Sequence, residues 1–296
     1  MDIVGKLLST LVPDIYKLLQ SKRASEDVDV ESEIEKFGES VKSLMRKEFL
    51  PHEYDRRKLR LSGIGKADLV QWYSYKRFPG EKIKPHTLVK FLYGHLIEEM
   101  ILFLVRMAGH KVTDEQKACE VNGVKGHMDC KIDDITVDVK STSSYGFKKF
   151  KDGSLALDDP FGYVDQLKAY AHSEGERKWA WLAMDKQNGH LCVLEYDLDD
   201  TEHPMYEHYS GDIEERVEHI KDTVRSDIRP DLCADPVPDG QSGNLKLATM
   251  CSYCQYKKHC YPDLRVFAYS TGPRFLTTIK NYPRVPEIKG DNYDRI

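Results

Sequence analysis

The stretch GHMDCKIDDITVDVKS, residues 126–141, decides the fold. Its β-branched residues and the central pair of aspartates are typical of two short strands joined by a tight turn. Asp138 and Lys140 are two residues apart on the second strand and therefore project from the same face. Asp129, near the end of the first strand, can reach that face. The stretch predicts a β-hairpin that brings two carboxylates and a lysine together.

Helices and further strands are predicted on both sides of this hairpin. Apolar residues recur at helical spacing in the first 50 residues, and Pro85 begins a strongly apolar helix. Because helices and strands share one stretch of chain, the predicted fold class is α/β, with a mixed central sheet flanked by helices. The predicted elements are helices over 1–20, 31–48, 85–109 and 163–172, and strands over 178–186 and 190–198.

The composition is that of a globular protein. Of 296 residues, 31% are charged and 40% hydrophobic, which argues against a disordered chain. No apolar run reaches the roughly 18 residues of a membrane span, so no membrane partner is expected. The net charge of −5 does not by itself indicate a nucleic-acid partner. Residues 255–296, however, contain eight Lys or Arg and only four acidic residues. A local basic surface is compatible with this overall charge.

Two converging carboxylates and a lysine are suited to a Mg²⁺ or Mn²⁺ site, because hard cations prefer carboxylate oxygens. Such a cation activates water and polarises a phosphate, while the lysine offsets developing negative charge. An Asp-x-Lys triplet alone is more often a solvated surface feature. Two further pairs favour a site. His95 and Glu99 share one face of the apolar helix, and Gln166 and Tyr170 share one face of a later helix.

The order His, Gly-His-x-Asp, Asp-x-Lys-Ser, Gln-x-x-x-Tyr resembles the RecB-like PD-(D/E)xK nucleases over roughly residues 60–262. This family includes iron–sulfur CRISPR-associated nucleases and many phage exonucleases. The resemblance implies a restriction-endonuclease-like core and a metal-dependent DNA nuclease. The histidine goes with exonuclease-type members, and the family often has Glu in place of Asp138. The resemblance implies that His95, Asp129, Asp138 and the Val139 carbonyl bind the metal, with support from Glu99. It implies that Lys140 acts in catalysis with Asp129 and Asp138. Gln166 and Tyr170 are expected to position the DNA.

A second cluster, CSYCQYKKHC at residues 251–260, has the spacing Cys-x2-Cys-x5-Cys. In a chain with seven cysteines and no secretory signal, this density favours a soft metal over disulfides. The spacing resembles the C-terminal triplet of the iron–sulfur nucleases. Their fourth cysteine precedes the nuclease motifs, where this chain has Ala67 or a neighbour. The expected site is a [4Fe–4S] cluster held by Cys233, Cys251, Cys254 and Cys260; the alternatives are Zn²⁺, completed by Cys233 or His259, and an empty site.

Basic and aromatic residues alternate at 73–84 and 143–151. Aromatic faces stack on unpaired bases while cations hold phosphates. The alternative is that lysine stems simply cover half-buried rings. Because the second segment directly follows the catalytic strand, Lys148, Lys149 and Lys151 are expected near the path of the DNA.

The predicted function is a DNA exonuclease in recombination, repair or phage DNA processing, with single strands or DNA ends as its partner. The alternatives are a structure-specific endonuclease on the same fold and a non-cleaving DNA-binding protein. Three segments are expected: helical 1–56, nuclease core 57–232, and cysteine cluster with tail 233–296. The expected location is the cytoplasm of a prokaryote or a phage-infected host. The amphipathic 1–20 segment suits either a core element or an oligomer contact.

Overall fold

The computed structural model describes residues 7–50 and 58–289. The chain divides into two compact units, one formed by residues 1–65 and 89–219 and the other by residues 66–88 and 220–296. The helix predicted over 1–20 is described from Leu7 onward, and its first six residues lie outside the described range.

The described helices and strands follow one another along both units. No described helix combines the length and apolar character needed to cross a membrane. The helices are α1 (Leu7–Ser21), α2 (Val30–Phe49), α3 (Asp68–Tyr75), α4 (Pro85–Met107), α5 (Ser144–Lys151), α6 (Tyr163–Ser173), α7 (Tyr206–Tyr209), α8 (Ile213–Arg225), α9 (Thr249–Ser252) and α10 (Lys257–Cys260). The strands are β1 (Val112–Thr113), β2 (Ala118–Val121), β3 (Val124–His127), β4 (Cys130–Ile132), β5 (Ile135–Thr142), β6 (Lys178–Asp185), β7 (Leu191–Asp197), β8 (Val237–Pro238), β9 (Leu245–Lys246), β10 (Arg265–Tyr269), β11 (Gly272–Thr278) and β12 (Glu287–Ile288).

The first unit is built on a five-stranded sheet with the order β1-β4-β5-β6-β7. The β5–β6 pair is parallel and the other neighbours are antiparallel, so the sheet is mixed. The predicted hairpin is β4 and β5, with Ile132 opposite Ile135 across the turn. The connection from β5 to β6 runs through α5 and α6. The predicted α/β class, a mixed central sheet flanked by helices, is confirmed.

Alternation along β5 divides its side chains between two faces of the sheet. Val137 and Val139 join a core with Leu11 of α1 and Ile101 of α4. The intervening positions, among them Asp138, face the other way because successive side chains alternate across a strand. One strand therefore contributes both to the helix-packed core and to a polar site.

The strand next to β5 is buried almost throughout. Trp179 and Trp181 of β6 are fully inaccessible to solvent. Their rings pack edge-on against Tyr196 of β7, and Phe150 of α5 lies against Trp181. A strand that is buried on both faces of a sheet has a nearly continuous apolar sequence, and β6 has such a sequence. In the register of β5 and β6, Asp138 lies beside Trp181.

The second unit contains an antiparallel sheet with the order β12-β10-β11-β9-β8. Its segments 66–88 and 220–296 meet in a small core where Leu69, Trp72 and Tyr73 pack with Tyr256. Over residues 233–296 the sequence predicted a cysteine cluster with a tail, and no strands. Three of these strands have two residues each, which is too few to show a period of two.

Candidate active site

A break between β3 and β4 places Asp129 beside the central strand. β3 ends at His127 and β4 begins at Cys130, so Asp129 lies between them. The backbone N–H of Val139 donates a hydrogen bond to Asp129 Oδ2, 3.2 Å away. Because Val139 lies between Asp138 and Lys140, this bond holds the Asp129 carboxylate level with both.

The Asp138 carboxyl is almost fully buried, with 1% of its residue surface exposed. Lys140 Nζ lies 2.5 Å from Asp138 Oδ2. The contact is a close ion pair, in which the ammonium is not oriented for an ideal hydrogen bond. Burial raises the pKa of Asp138 to about 7, against the opposing charge of Lys140 and with Asp129 adding to the rise. The Asp138 carboxyl is thus paired with Lys140, while burial and Asp129 disfavour its charged form.

Lys140 remains a cation in these surroundings. Burial acts to lower the pKa of Lys140, but Asp138 and Asp129 raise it above the ordinary lysine value. Its Nζ also lies 5.0 Å from the ring centroid of Tyr163. Tyr163 was not singled out in the sequence. The available signal was its position three residues before Gln166, on the same helical face as Gln166 and Tyr170.

Glu98 is a second site residue that the sequence reasoning missed. Burial raises the pKa of Glu98 to about 8, and Asp129 and Asp138 add to the rise. His95 Nδ1 lies 4.0 Å from Glu98 Oε2. Spacings of three and four residues both keep two side chains on one helical face. From the sequence, Glu99, four positions after His95, was singled out, and Glu98 was not.

The helix α6 presents an amide and a phenol to this region. Gln166 Nε2 donates a hydrogen bond to Tyr170 Oη at 3.3 Å. Tyr170 is buried, and burial raises the pKa of its hydroxyl. A Cβ added at Gly126 would lie 2.9 Å from Tyr170 Cε1 and 2.8 Å from Leu61 Cβ. Glycine is therefore required at position 126 for Tyr170 to approach β3 this closely.

The carboxylates of this site are chemically suited to binding a cation, but they are not arranged around a common metal position. Among residues 7–50 and 58–289, no group of three or more His, Cys, Asp or Glu side chains is arranged to hold a metal ion. Three carboxyls nevertheless interact, those of Glu98, Asp129 and Asp138, with Lys140 as a cation beside them. Bringing a metal cation into contact requires side-chain rotation toward it. Hard oxygen donors gathered in this way fit Mg²⁺ or Mn²⁺.

The cysteines predicted to form a second site share one part of the second unit. Cys233, Cys254 and Cys260 pack against the Trp72 and Tyr73 cluster. Burial raises the pKa of Cys251 to about 11, and the thiols of Cys233, Cys254 and Cys260 add to the rise. All four are thus within electrostatic range of one another, each as a free thiol.

The lysines predicted along the DNA path lie on α5, which begins at the N-cap Ser143. Lys149 Nζ is 2.6 Å from Asp158 Oδ2. Lys148 Nζ is 4.0 Å from Asp152 Oδ2. Lys151, the last residue of the helix, is exposed. Two of the three cations therefore have a carboxylate nearby.

Known proteins were compared with the chain as a whole. No family model matches it, and no curated protein matches its sequence. Among solved structures it is similar to an alkaline exonuclease from Laribacter hongkongensis, with 14% identity, 57% of this chain and 91% of that chain covered, and a TM-score of 0.37. It is also similar to a phage-related exonuclease from Haemophilus somnus 129PT, with 13% identity, 60% and 93% coverage, and a TM-score of 0.36.

Proposed function

We propose that the chain is a Mg²⁺- or Mn²⁺-dependent deoxyribonuclease that degrades DNA from an end. One observation carries the proposal: the buried carboxyl of Asp138 lies 2.5 Å from Lys140 Nζ, and two further carboxylates, Asp129 and Glu98, interact with it electrostatically. Buried carboxyls that raise one another's pKa are costly to keep as structure alone. Perturbed acids of this kind are typical of catalytic sites.

The residues divide the work by their chemistry. Asp129, Asp138 and His95 would hold the cation, together with the Val139 carbonyl and Glu98. A divalent cation there supplies Lewis acidity and an activated water when bound. Lys140 keeps its proton and presents positive charge at the point where negative charge grows on the phosphate. Gln166 and Tyr170, already joined by a hydrogen bond, would position the strand, and Glu99 would support the metal ligands.

We expect the protein to release nucleotides from end-labelled linear DNA in Mg²⁺ or Mn²⁺ and to leave covalently closed circles intact. EDTA should abolish the reaction, because the carboxylates then have no cation to bind. Gel analysis of linear and circular substrates under the three conditions measures this, and the position of the label gives the polarity. Cleavage of circles would favour the structure-specific endonuclease. DNA binding without any cleavage would favour the non-cleaving alternative.

We also propose that Cys233, Cys251, Cys254 and Cys260 hold a [4Fe–4S] cluster, with Zn²⁺ as the alternative bound metal. The support is that three of the thiols pack on one aromatic cluster and that the fourth, Cys251, lies within electrostatic range of them. Thiols with a raised pKa release protons when a soft metal binds, because the metal takes the thiolate.

Protein purified without oxygen is expected to contain about four iron and four sulfide per chain, the composition of such a cluster. Changing Cys233→Ser should remove most of this iron, whereas Cys192→Ser, at a cysteine of β7, should not. Zinc without iron would replace the cluster by the alternative. A chain free of both metals would reject a metal site here.

A further inference from the structure

The loop before α6 holds an aromatic side chain, Phe161, about half in solvent, with 47% of its surface exposed. The Phe161 ring stacks on that of Tyr163, with the centroids 5.4 Å apart and 28° between the planes. The Tyr163 ring centroid in turn lies 5.0 Å from Lys140 Nζ. Burial raises the pKa of the Tyr163 hydroxyl, which Lys140 lowers and Asp138 raises further. Phe161 therefore packs on a ring that belongs to the candidate active site.

The loop that carries Phe161 is tied to the helices on both sides of it. Lys149 of α5 lies 2.6 Å from Asp158 Oδ2 and donates a hydrogen bond to the Asp158 carbonyl oxygen at 2.7 Å. Asp159 Oδ2 accepts a hydrogen bond from a backbone N–H in the first turn of α6, 2.8 Å away. The residues directly before Phe161 are thus fixed by two side chains.

The residue directly after Phe161 is fixed by a close approach of two backbone segments. Gly162 has a φ of +75°, a conformation that favours glycine. A Cβ added at Gly65 would lie 2.5 Å from the Gly162 carbonyl oxygen, so Gly65 also has no room for a side chain. An exposed aromatic residue alone is common and needs no explanation. An exposed ring on a loop held at both ends, next to Lys140, is positioned in advance for a ligand of that site.

The two side chains select the chemistry of this ligand. A nucleotide joins a phosphate to a flat base, and Lys140 offers a cation to the first while Phe161 offers a ring face to the second. Stacking of this kind accepts any base, because every base has a face that can stack. A base in a duplex is already stacked and paired, so it can lie on Phe161 only after it leaves the duplex.

We propose that Phe161 stacks on an unpaired base next to the phosphodiester bond that is cut, and so positions the strand in the active site. The inference deepens the proposed nuclease function and rests on it, since it names the part of the substrate that the site holds. Tyr163 supports one face of the Phe161 ring, and the base takes the exposed part of it.

The stacking is tested without cleavage, in EDTA, by fluorescence anisotropy with two labelled oligonucleotides of equal length and charge. One is oligothymidylate, and the other is its abasic counterpart, which keeps the phosphates and lacks the bases. Phe161→Ala is expected to bind oligothymidylate about tenfold more weakly, the usual size of one lost base stack. Its affinity for the abasic strand should stay within about twofold of wild type, since that strand has no base to stack.

Two further replacements separate stacking on a base from packing on Tyr163. Phe161→Trp keeps a ring and should keep the wild-type affinity for oligothymidylate, whereas Phe161→Leu keeps apolar bulk without a ring and should bind nearly as weakly as Phe161→Ala. Phe49→Ala is the matched control, because Phe49 is also an exposed aromatic of the first unit, and it should change neither affinity. The proposal is overturned if Phe161→Ala loses no affinity, or loses it equally for both strands.

The position of the stacked base is tested by single-turnover cleavage, in Mn²⁺, of oligothymidylate that contains one abasic nucleotide. Wild type is expected to cut the bond beside the abasic position about tenfold more slowly than the other bonds, because one stack is missing there. Phe161→Ala should cut all bonds at similar rates. Equal slowing in the two proteins would overturn the placement of Phe161 beside the scissile bond. Failure of the nuclease proposal would appear separately, as oligothymidylate that is bound in EDTA and stays uncut in Mn²⁺.

Discussion

Lys140→Met is expected to lower the rate of metal-dependent DNA cleavage by about 10²–10³-fold, the usual cost of losing one group that stabilises transition-state charge. Methionine keeps much of the side-chain length but places no positive charge beside Asp138. DNA binding in EDTA should change far less, because one cation contributes little to a surface that contacts several phosphates. Single-turnover cleavage of end-labelled DNA, with enzyme in excess, measures the rate independently of product release.

Lys178→Met provides the control for this prediction. Lys178 begins β6 in the same sheet and pairs with Asp197 at 3.0 Å, so it is also a lysine with a carboxylate partner. Its loss should leave the rate within about twofold, since a half-exposed ion pair remote from the candidate site contributes little to catalysis. Equal rates for Lys140→Met and wild type would remove Lys140 from the reaction and recast its contact with Asp138 as structural.

Trp181→Ala should destabilise the first unit by about 3–5 kcal/mol, the usual cost of deleting a buried large aromatic. Trp181 is fully buried in β6, and its ring lies 5.4 Å from that of Tyr196 and 6.2 Å from that of Phe150. Removing the indole leaves a cavity between sheet and helix that neighbouring rings fill only in part. Urea denaturation followed by circular dichroism gives the change in unfolding free energy.

Trp181→Phe separates loss of volume from loss of the indole N–H. That N–H is buried and has no hydrogen-bond acceptor among the described residues. Phenylalanine keeps a ring in place and removes the unpaired donor, so we expect a loss below about 1.5 kcal/mol. If alanine and phenylalanine cost the same, packing of the ring is not what stabilises this layer.

The hairpin could be predicted from the sequence because its signals are local. The turn between Ile132 and Ile135, and the common face of Asp138 and Lys140, follow from the order of residues alone. The parallel pairing of β5 with β6 could not be predicted in this way, because it joins residues about forty positions apart. The periodicity of a sequence contains no information about which distant strands pair.

The missed site residues show the limits of helical spacing. Three and four positions after His95 are both acids, and only packing shows that Glu98 is the one most affected by Asp129 and Asp138. Tyr163 comes close to Lys140 because α6 packs against β5 and β6, and such tertiary contacts are not contained in local spacing. The roles assigned to His95, Gln166 and the cysteines remain predictions until cleavage and metal content are measured.

The interleaved course of the chain has a consequence for how the protein is made. Trp72 and Tyr73 leave the ribosome early, yet Tyr256, which completes their core, is synthesised 183 residues after Tyr73. At the usual speed of translation this wait lasts roughly ten to forty seconds. The residues between them can fold into the first unit in that time, while an aromatic pair stays uncovered. The contact that completes this aromatic core can therefore form only after Tyr256 has emerged.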